Sequence, residues 1–552
     1  MMAQNLFGEG VKRTTGNNAR RYNLLAARLM AEMVKGLLGP KGMDKVFIDI
    51  MGEVTLTKDG ATLLRKIDVE HPAAKVLIEA SNAVDNAVGD GTTSVVVLAG
   101  ALLARAEGLL DKGVSPATIS DGYRRGLEIA MEALQSAAIK SANDDRQVMA
   151  RLASTCLQSK AISSCDIAIM AVDAIFAVAD FEKGRVDIDD IKIEEKPGSV
   201  SDTQLVSGVV IDKTIDSSAM PREVKGARIL LINEDLDGKR TRTDAEIGIS
   251  LPSQVRAFLD AQSFDLRQKV QRIIDSGANV VISQAGINTL AQTMLAHAGI
   301  ISVRRTKEND IWWLEKATGA RTTRDLDNIV PSDLGHAGRV CERFVGDDRM
   351  VFVEGCKDPK SMTLLLRAGS KRLLDEFHRS ALNVLCALRE YVANPQVVAG
   401  GGAAEVIAAR AVRAGALAVK GRAQLAMLRF ADALEEIPLT IAGNAGMDMI
   451  NTQVQLRSCK GPWFGVNALE RNVQDMLGAN VVEPLAVKEQ VLITAVEAAD
   501  LIVRVDDVVM ARPSMSTHTH GDGTTHTHKG GNKSHDHFDR LGKQQRPMHH
   551  YY

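Results

Sequence analysis

Aromatic residues make up only 4% of the chain, and neither sign of charge prevails: 67 Lys and Arg against 69 Asp and Glu leave a net charge of −2. That balance removes the electrostatic case for nucleic acid or an anionic membrane as the main partner. By this reading no apolar stretch reaches the length of a membrane span, and the N-terminus lacks a signal-peptide pattern. Six scattered cysteines (156, 165, 341, 356, 386 and 459) form no metal-type pair and suit a reducing, cytoplasmic setting. No G-x-x-x-x-G-K-[S/T] occurs, so a Walker-type phosphate loop is excluded. What abounds is aliphatic. Hydrophobic residues reach 45% and charged residues 25%, ordinary for a soluble globular protein. At 552 residues the chain exceeds one core, which predicts about two to four domains.

The most telling stretch is Gly89-Asp90-Gly91-Thr92-Thr93-Ser94, followed by the apolar run Val95-Val96-Val97-Leu98-Ala99. Glycines let backbone approach a ligand closely, and amides at a helix start offer free donors to anions. Three hydroxyls add side-chain donors, and Asp90 supplies the hard oxygen that Mg²⁺ prefers. Together they read as a polyphosphate and magnesium cradle. Taken alone, an ordinary turn with a helix cap explains the same residues.

The first third of the chain has helical spacing, at Tyr22 to Leu38, Ala73 to Val88 and Ser94 to Leu110, with a hairpin of Val46–Ile50 and Val54–Thr57 between. After about residue 195 short apolar strands such as Ala227–Asn233 and Ala278–Ile282 alternate with helices. Long helical patterns resume from Met362 to Tyr391 and beyond Ala403. A helical, α/β, helical order predicts an inserted domain whose parent is completed by both chain ends. Gly198, Gly208 and Gly355 fall near the crossings, where backbone freedom permits hinge motion.

The cradle keeps company. Leu38-Gly39-Pro40-Lys41-Gly42 and Leu56-Thr57-Lys58-Asp59-Gly60 precede it, and Val398-Ala399-Gly400-Gly401-Gly402 lies far downstream. In order and separation these segments resemble the nucleotide site of the chaperonins, ring-forming ATP-driven folding machines. His71-Pro72-Ala73-Ala74, Asp202 to Lys213 and Phe352-Val353-Glu354-Gly355-Cys356 resemble the group II branch, that of the archaeal thermosome and its relative in the eukaryotic cytosol. The resemblance runs from about Gly8 to Val509. It implies a multidomain α/β (α+β) fold: a mainly helical equatorial ATPase domain (1–146 and 402–512), a small intermediate hinge domain (147–215 and 364–401) and an α/β apical domain (216–363). The apical domain would carry a helical protrusion near 245–275, and 513–552 would form a disordered His-rich tail. It also implies ATP and Mg²⁺ as cofactors, and as partners unfolded or partly folded proteins and homologous or identical subunits in a stacked double ring.

Residue by residue, the resemblance places Leu38, Gly39 and Pro40 at the nucleotide border and Asp90 on Mg²⁺. Gly91, Thr92, Thr93 and Ser94 then hold phosphate oxygens, Gly401 leaves room for the nucleoside, and Glu483 meets the sugar or base. Lys160 senses the γ-phosphate side, and Lys58 is a further phosphate contact. Of two carboxylates expected to position the attacking water, Asp59 is the first. The second falls in a helix whose family wording is close to Glu-Arg-Ser-x-His-Asp-Ala-Leu; here the segment is His378-Arg379-Ser380-Ala381-Leu382-Asn383-Val384-Leu385, with Asn383 at the aspartate. Asn cannot accept a proton as a carboxylate does. Helical spacing puts Glu376, Arg379, Asn383, Ala387 and Glu390 on one stripe, which turns Asn383 to the site and leaves Glu376 and Glu390 too far to substitute simply. Ala87, His378 and the Ile437 to Asn444 stretch also depart from the family wording, so binding is better kept than turnover.

Client contact is expected at Val255, Phe258 and Leu259 of the protrusion and at Trp312-Trp313, where relatives carry charged residues. Adjacent tryptophans cannot share one helix face, so one is expected in the core and the other exposed. Eight of the twelve histidines stand beyond Pro513, where His-x-His pairs can take Ni²⁺, Cu²⁺ or Zn²⁺ incidentally. The reading is an ATP-dependent chaperone subunit; its alternative is a weakly hydrolysing structural or regulatory subunit of a mixed ring.

Overall fold

The computed structural model describes residues 12–158, 165–236, 252–357, 360–510, 515–519 and 525–529. Strand β1 (Lys12–Thr15) and helix α1 (Gly16–Lys35) come first, then the hairpin β2 (Lys45–Ile48) and β3 (Val54–Thr57). Helices α2 (Gly60–Lys66), α3 (Pro72–Val88), α4 (Thr92–Leu110) and α5 (Pro116–Ala137) follow. β4 (Ile139–Lys140), α6 (Arg146–Gln158) and α7 (Cys165–Val178) lead to β5 (Ile191–Pro197) and β6 (Gln204–Val206). The α/β stretch comprises β7 (Gly208–Ile211), β8 (Glu223–Ile232), α8 (Pro252–Asp275), β9 (Val280–Ser283), α9 (Thr289–His297), β10 (Ile301–Val303), α10 (Glu308–Thr318), β11 (Thr322–Thr323), β12 (Gly335–Val345) and β13 (Asp348–Glu354). After it come β14 (Met362–Ala368), α11 (Lys371–Ala393), β15 (Gln396–Ala399), α12 (Ala403–Ala416), α13 (Arg422–Leu434), α14 (Glu436–Asn444) and α15 (Met449–Ser458). β16 (Phe464–Asn467), β17 (Asn472–Asp475), β18 (Val482–Pro484), α16 (Leu485–Arg504), β19 (Asp507–Met510), β20 (Met515–Thr519) and β21 (Thr525–Lys529) complete the order.

Within residues 23–504, which form one compact unit, three large apolar clusters appear. The largest joins α1 to α5 with α12 to α16. A second joins α6, α7 and α11 to β5 and β14. The third surrounds a sheet ordered β10-β9-β8-β12-β13-β7, with β11 beside β8 and helices α8 to α10 packed on it. The chain runs through the first cluster, the second and the third, then back through the second to the first, so two of the three are each assembled from separate stretches. Apart from these, the ends pair as β1 with β19, with an ion pair from Arg13 to Asp507 at 2.5 Å.

Helix α4 is the axis of the largest cluster, and every residue from Val95 to Leu103 is buried. Its 19 residues are long and apolar enough by length and composition to cross a membrane, which corrects the expectation that no stretch reaches that length. In the fold its apolar surface is taken up by packing against α3, α13 and α16. A helix hydrophobic all round is what the centre of a helical core requires.

Two further expectations change. Met362–Ala368 is a fully buried strand, with β5 parallel on one side and β6 antiparallel on the other; a short apolar run fits a covered strand as well as a helix, and the helix begins only at Lys371 behind the Ser370 cap. In the tail, which composition marks as disordered, β20 and β21 pair antiparallel with His518 opposite His526. Thr and His alternate there with a period of two, the strand repeat, and Thr is β-branched. The tail beyond residue 529 lies outside the described residues. Gly208, read as a hinge glycine, is held by packing: a Cβ there would stand 2.0 Å from the Val353 carbonyl oxygen.

Candidate functional site

Asp90 stands between two left-handed glycines. Gly89 (φ 70) ends α3 and Gly91 (φ 84) begins α4, a backbone that side-chain-bearing residues rarely adopt. The Gly91 amide donates to Asp90 Oδ1 at 2.8 Å, and the Cys156 thiol to Oδ2 at 3.6 Å. A Cβ on Gly89 would come within 2.3 Å of Cys386 Cβ, so α11 lies directly against the loop that carries Asp90. The loop opens into a cavity of about 670 Å³, lined among others by Leu38, Gly39, Pro40, Asp90, Gly91, Ser94, Gly401 and Glu483. Eight of the sequence-predicted residues are thus brought to one space.

The others stand behind or apart from that wall. Thr92 is buried, and its hydroxyl donates to Asp59 Oδ1 at 3.0 Å. Thr93 packs its hydroxyl against Gly60, where a Cβ would lie 2.6 Å away. Asp59 caps α2, accepting from the amide and the hydroxyl of Thr62, each at 2.8 Å. Lys58 Nζ donates to the Pro40 carbonyl at 3.4 Å, tying the two upstream motifs together. Asn383 is only 7% exposed and stands on α11 one turn before Ala387, which does line the cavity. Lys160 lies outside the described residues. Val255, Phe258 and Leu259 fall on α8, as the protrusion reading expects, but their side chains are outside the described set.

The tryptophans divide differently from the expectation of one core and one surface residue. Trp312 is 37% exposed, with Lys316 Nζ 3.9 Å above its ring. Trp313 is half-buried, not a core residue: its indole N–H donates to the Asp189 carbonyl at 2.6 Å, joining α10 to the segment before β5. The two rings meet edge to face with centroids 6.2 Å apart.

The chain matches the TCP-1/cpn60 chaperonin family over residues 30–513. It is 45% identical over 512 residues to a thermosome subunit of Methanopyrus kandleri, covering 91% of this chain and 94% of the relative. A thermosome subunit of Pyrococcus abyssi is 44% identical, with 91% and 93% covered, and thermosome subunit alpha of Archaeoglobus fulgidus is 44% identical, with 91% and 94% covered. The chain belongs to the TCP-1/cpn60 chaperonin family. It is a multidomain α/β chaperonin subunit of the thermosome kind.

Sequence reading of this chaperonin subunit missed two sets of residues at the site. Helical spacing marks Glu376 only as too far to substitute simply for the missing carboxylate, yet its Oε2 accepts from the Thr57 hydroxyl at 3.2 Å, and that hydroxyl accepts the Asp59 amide at 3.0 Å. Arg379 pairs with the same carboxylate at 2.7 Å and donates to the Leu56 carbonyl at 3.4 Å. The stripe on α11 therefore grips β3 and the loop bearing Lys58 and Asp59. The second set is Lys488 with Glu405. Lys488 lines the cavity and bridges Glu483 at 2.7 Å and Glu405 at 2.9 Å. Burial opposes the Lys488 charge, but the two carboxylates outweigh it and hold its pKa above the usual value. Burial likewise raises the Glu483 carboxyl, opposed by Lys488 and reinforced by Glu405.

Proposed function

We propose that this chaperonin subunit binds ATP with Mg²⁺ in the cavity at the start of α4 and uses its hydrolysis to drive folding of non-native proteins inside a stacked double ring. The observation that carries the reading is Asp90, held by Gly89 and Gly91 at a helix N-terminus that opens into the cavity. The residues fit a magnesium–triphosphate: a hard carboxylate oxygen for the metal, and main-chain amides with the Ser94 hydroxyl for the phosphates. Asp90 would hold the Mg²⁺, which would supply neutralisation of phosphate charge. Asp59 and Asn383 orient the attacking water, and Asp59 takes its proton. Asn383 stands one turn, about 6 Å, along α11 from Ala387, which lines the cavity. Residues 1–146 and 402–512 serve as the equatorial domain, 147–215 and 364–401 as the hinge and 216–363 as the client-binding apical domain. Likeness to thermosome subunits over nearly the whole chain supports the ordinary chaperonin reading over the regulatory alternative. ATP turnover by the purified subunit, with particle shape by electron microscopy, tests the proposal: solitary particles without ATPase activity would overturn it.

Ring assembly needs surface for a neighbour. The β2–β3 hairpin presents Val46, Ile48, Ile50 and Met51, which are 59%, 63%, 105% and 89% exposed. Such a run of apolar residues on a protruding hairpin supports contact with another subunit. Ile48→Asp with Ile50→Asp should abolish the ring in analytical ultracentrifugation while the isolated subunit keeps its stability to within about 0.5 kcal/mol. Intact rings from this variant would remove the hairpin from the interface.

Clients are proposed to meet the exposed face of Trp312. Trp312→Ala should weaken capture of an unfolded protein severalfold at unchanged melting temperature. Trp313→Ala should leave capture nearly intact but lower stability by about 1–3 kcal/mol, since it loses packing and the bond to Asp189. Equal capture by both variants at unchanged melting temperature would sink this assignment.

A further inference from the structure

Two carboxylates and one ammonium meet where α16 faces the start of α12. Lys488 is 6% exposed and Glu405 is 5% exposed, and Glu405 Oε2 is buried without a hydrogen-bond partner. Gly400 backs Glu483 so closely that a Cβ there would lie 2.7 Å from Glu483 Oε1. The Glu483 carboxylate is therefore fixed from two sides, by the Lys488 ammonium on one oxygen and glycine backbone by the other. Two anions against one cation leave this wall with one negative charge in excess. Phosphate is repelled by such a wall, so the part of a nucleotide that meets it must offer donors. Ionised carboxylate oxygens only accept, whereas a protonated carboxyl also donates.

We infer that Lys488 is a specificity-determining positioning residue: its ammonium fixes Glu483 Oε2 and favours the carboxylate form, so that Glu483 accepts from a hydroxyl of the nucleotide sugar, with Glu405 as the buried counter-charge of Lys488. The inference rests on the nucleotide reading of the cavity. Burial, Glu405 and Asp90 already raise the Glu483 carboxyl against the pull of Lys488, so removing Lys488 drives it further toward the neutral form, which welcomes donors and acceptors alike. Selection for a hydroxyl is then lost even where the nucleotide still binds, because its phosphates are held at the Asp90 end. A site built to accept a hydroxyl rejects an analogue lacking it far better than an apolar pocket does.

The test is calorimetric. Dissociation constants of ATP, 2′-deoxy-ATP, 3′-deoxy-ATP, inosine triphosphate and inorganic tripolyphosphate, all with Mg²⁺, are measured on the full-length wild type, on Lys488→Met and on Lys488→Met/Glu405→Gln. The double variant removes one charge of each sign and guards against misfolding of the single one, which strands Glu405. Wild type should prefer ATP to at least one deoxy analogue by about tenfold, the net worth of a hydrogen bond to a charged group. In both variants that ratio should fall to near one, beyond any common change that ATP and tripolyphosphate share. A purely structural role for Lys488 would move affinities together and leave the ratio alone. Retained preference in the variants, absence of preference in the wild type, or a penalty for inosine triphosphate in place of the deoxy analogues would each overturn the inference. Failure of wild type to bind ATP or tripolyphosphate would instead refute the nucleotide reading on which it stands.

Discussion

Asp90→Ala protein should bind Mg²⁺–ATP more than about a hundredfold more weakly than wild type, because a bound metal supplies several kcal/mol of phosphate charge stabilisation. The hydroxyl groups nearby cannot compensate. Thr92 is committed to Asp59 and Thr93 packs on Gly60, so of the three only Ser94 reaches the cavity. The fold should survive, since Asp90 lies in the short turn between α3 and α4 and hydrogen-bonds the neighbouring Gly91 amide and the Cys156 thiol. Isothermal titration with ATP in the presence and absence of Mg²⁺ decides the matter. Undiminished affinity removes the cradle from the account. A loss seen only with Mg²⁺ present assigns Asp90 to the metal.

Asn383→Asp should raise ATP turnover, by a factor of about ten at least and up to the 10²–10⁴ that a general base contributes, with ATP affinity little changed. Asn nearly reproduces the shape of Asp and still hydrogen-bonds a water, so binding should be unaffected by the natural residue. Proton acceptance and negative charge are what it lacks. The new carboxylate enters a position only 7% exposed, so the melting temperature should fall somewhat before nucleotide is added. Single-turnover measurements separate the chemical step from product release. If the unmodified subunit already hydrolyses as fast as the variant, the lost carboxylate is not limiting, and Asp59, held by Thr62 and Thr92, suffices.

The parts of the site legible in the sequence were those written locally. Gly89 to Ser94 announces a glycine-rich turn followed by a helix, and the structure has both, with Gly89 and Gly91 left-handed. The gathering of Leu38 to Pro40, Gly401 and Glu483 around that turn followed from family resemblance, since nothing local relates residues hundreds of positions apart. Side-chain pairing was illegible for the same reason. Glu405 and Lys488 are 83 residues apart and Thr57 and Glu376 are 319 apart, so only the fold reveals that each is the other's partner. Thr92 shows the limit of motif reading: a hydroxyl beside a phosphate loop reads as a ligand, yet here it holds Asp59. Met362–Ala368 failed in another way, because unbroken apolarity carries no period and fits strand and helix equally. Helix α4 was legible as a helix from Ser94 to Leu110, but its span-like length and apolarity were overlooked, and its packing partners place it in the core.

The discontinuous core also sets a schedule for the ribosome. Asp90 and Glu483 belong to one cavity but are separated by 393 positions, about 20–80 s of synthesis at 5–20 residues per second. Throughout that interval α4 has left the exit tunnel without α16, the helix that closes over it in the finished core. The nascent chain must therefore carry a long, bare, greasy helix and an unfinished nucleotide pocket until its last hundred residues arrive. A subunit of a folding machine is thus, during its own birth, a demanding passenger for whichever holdase meets it first.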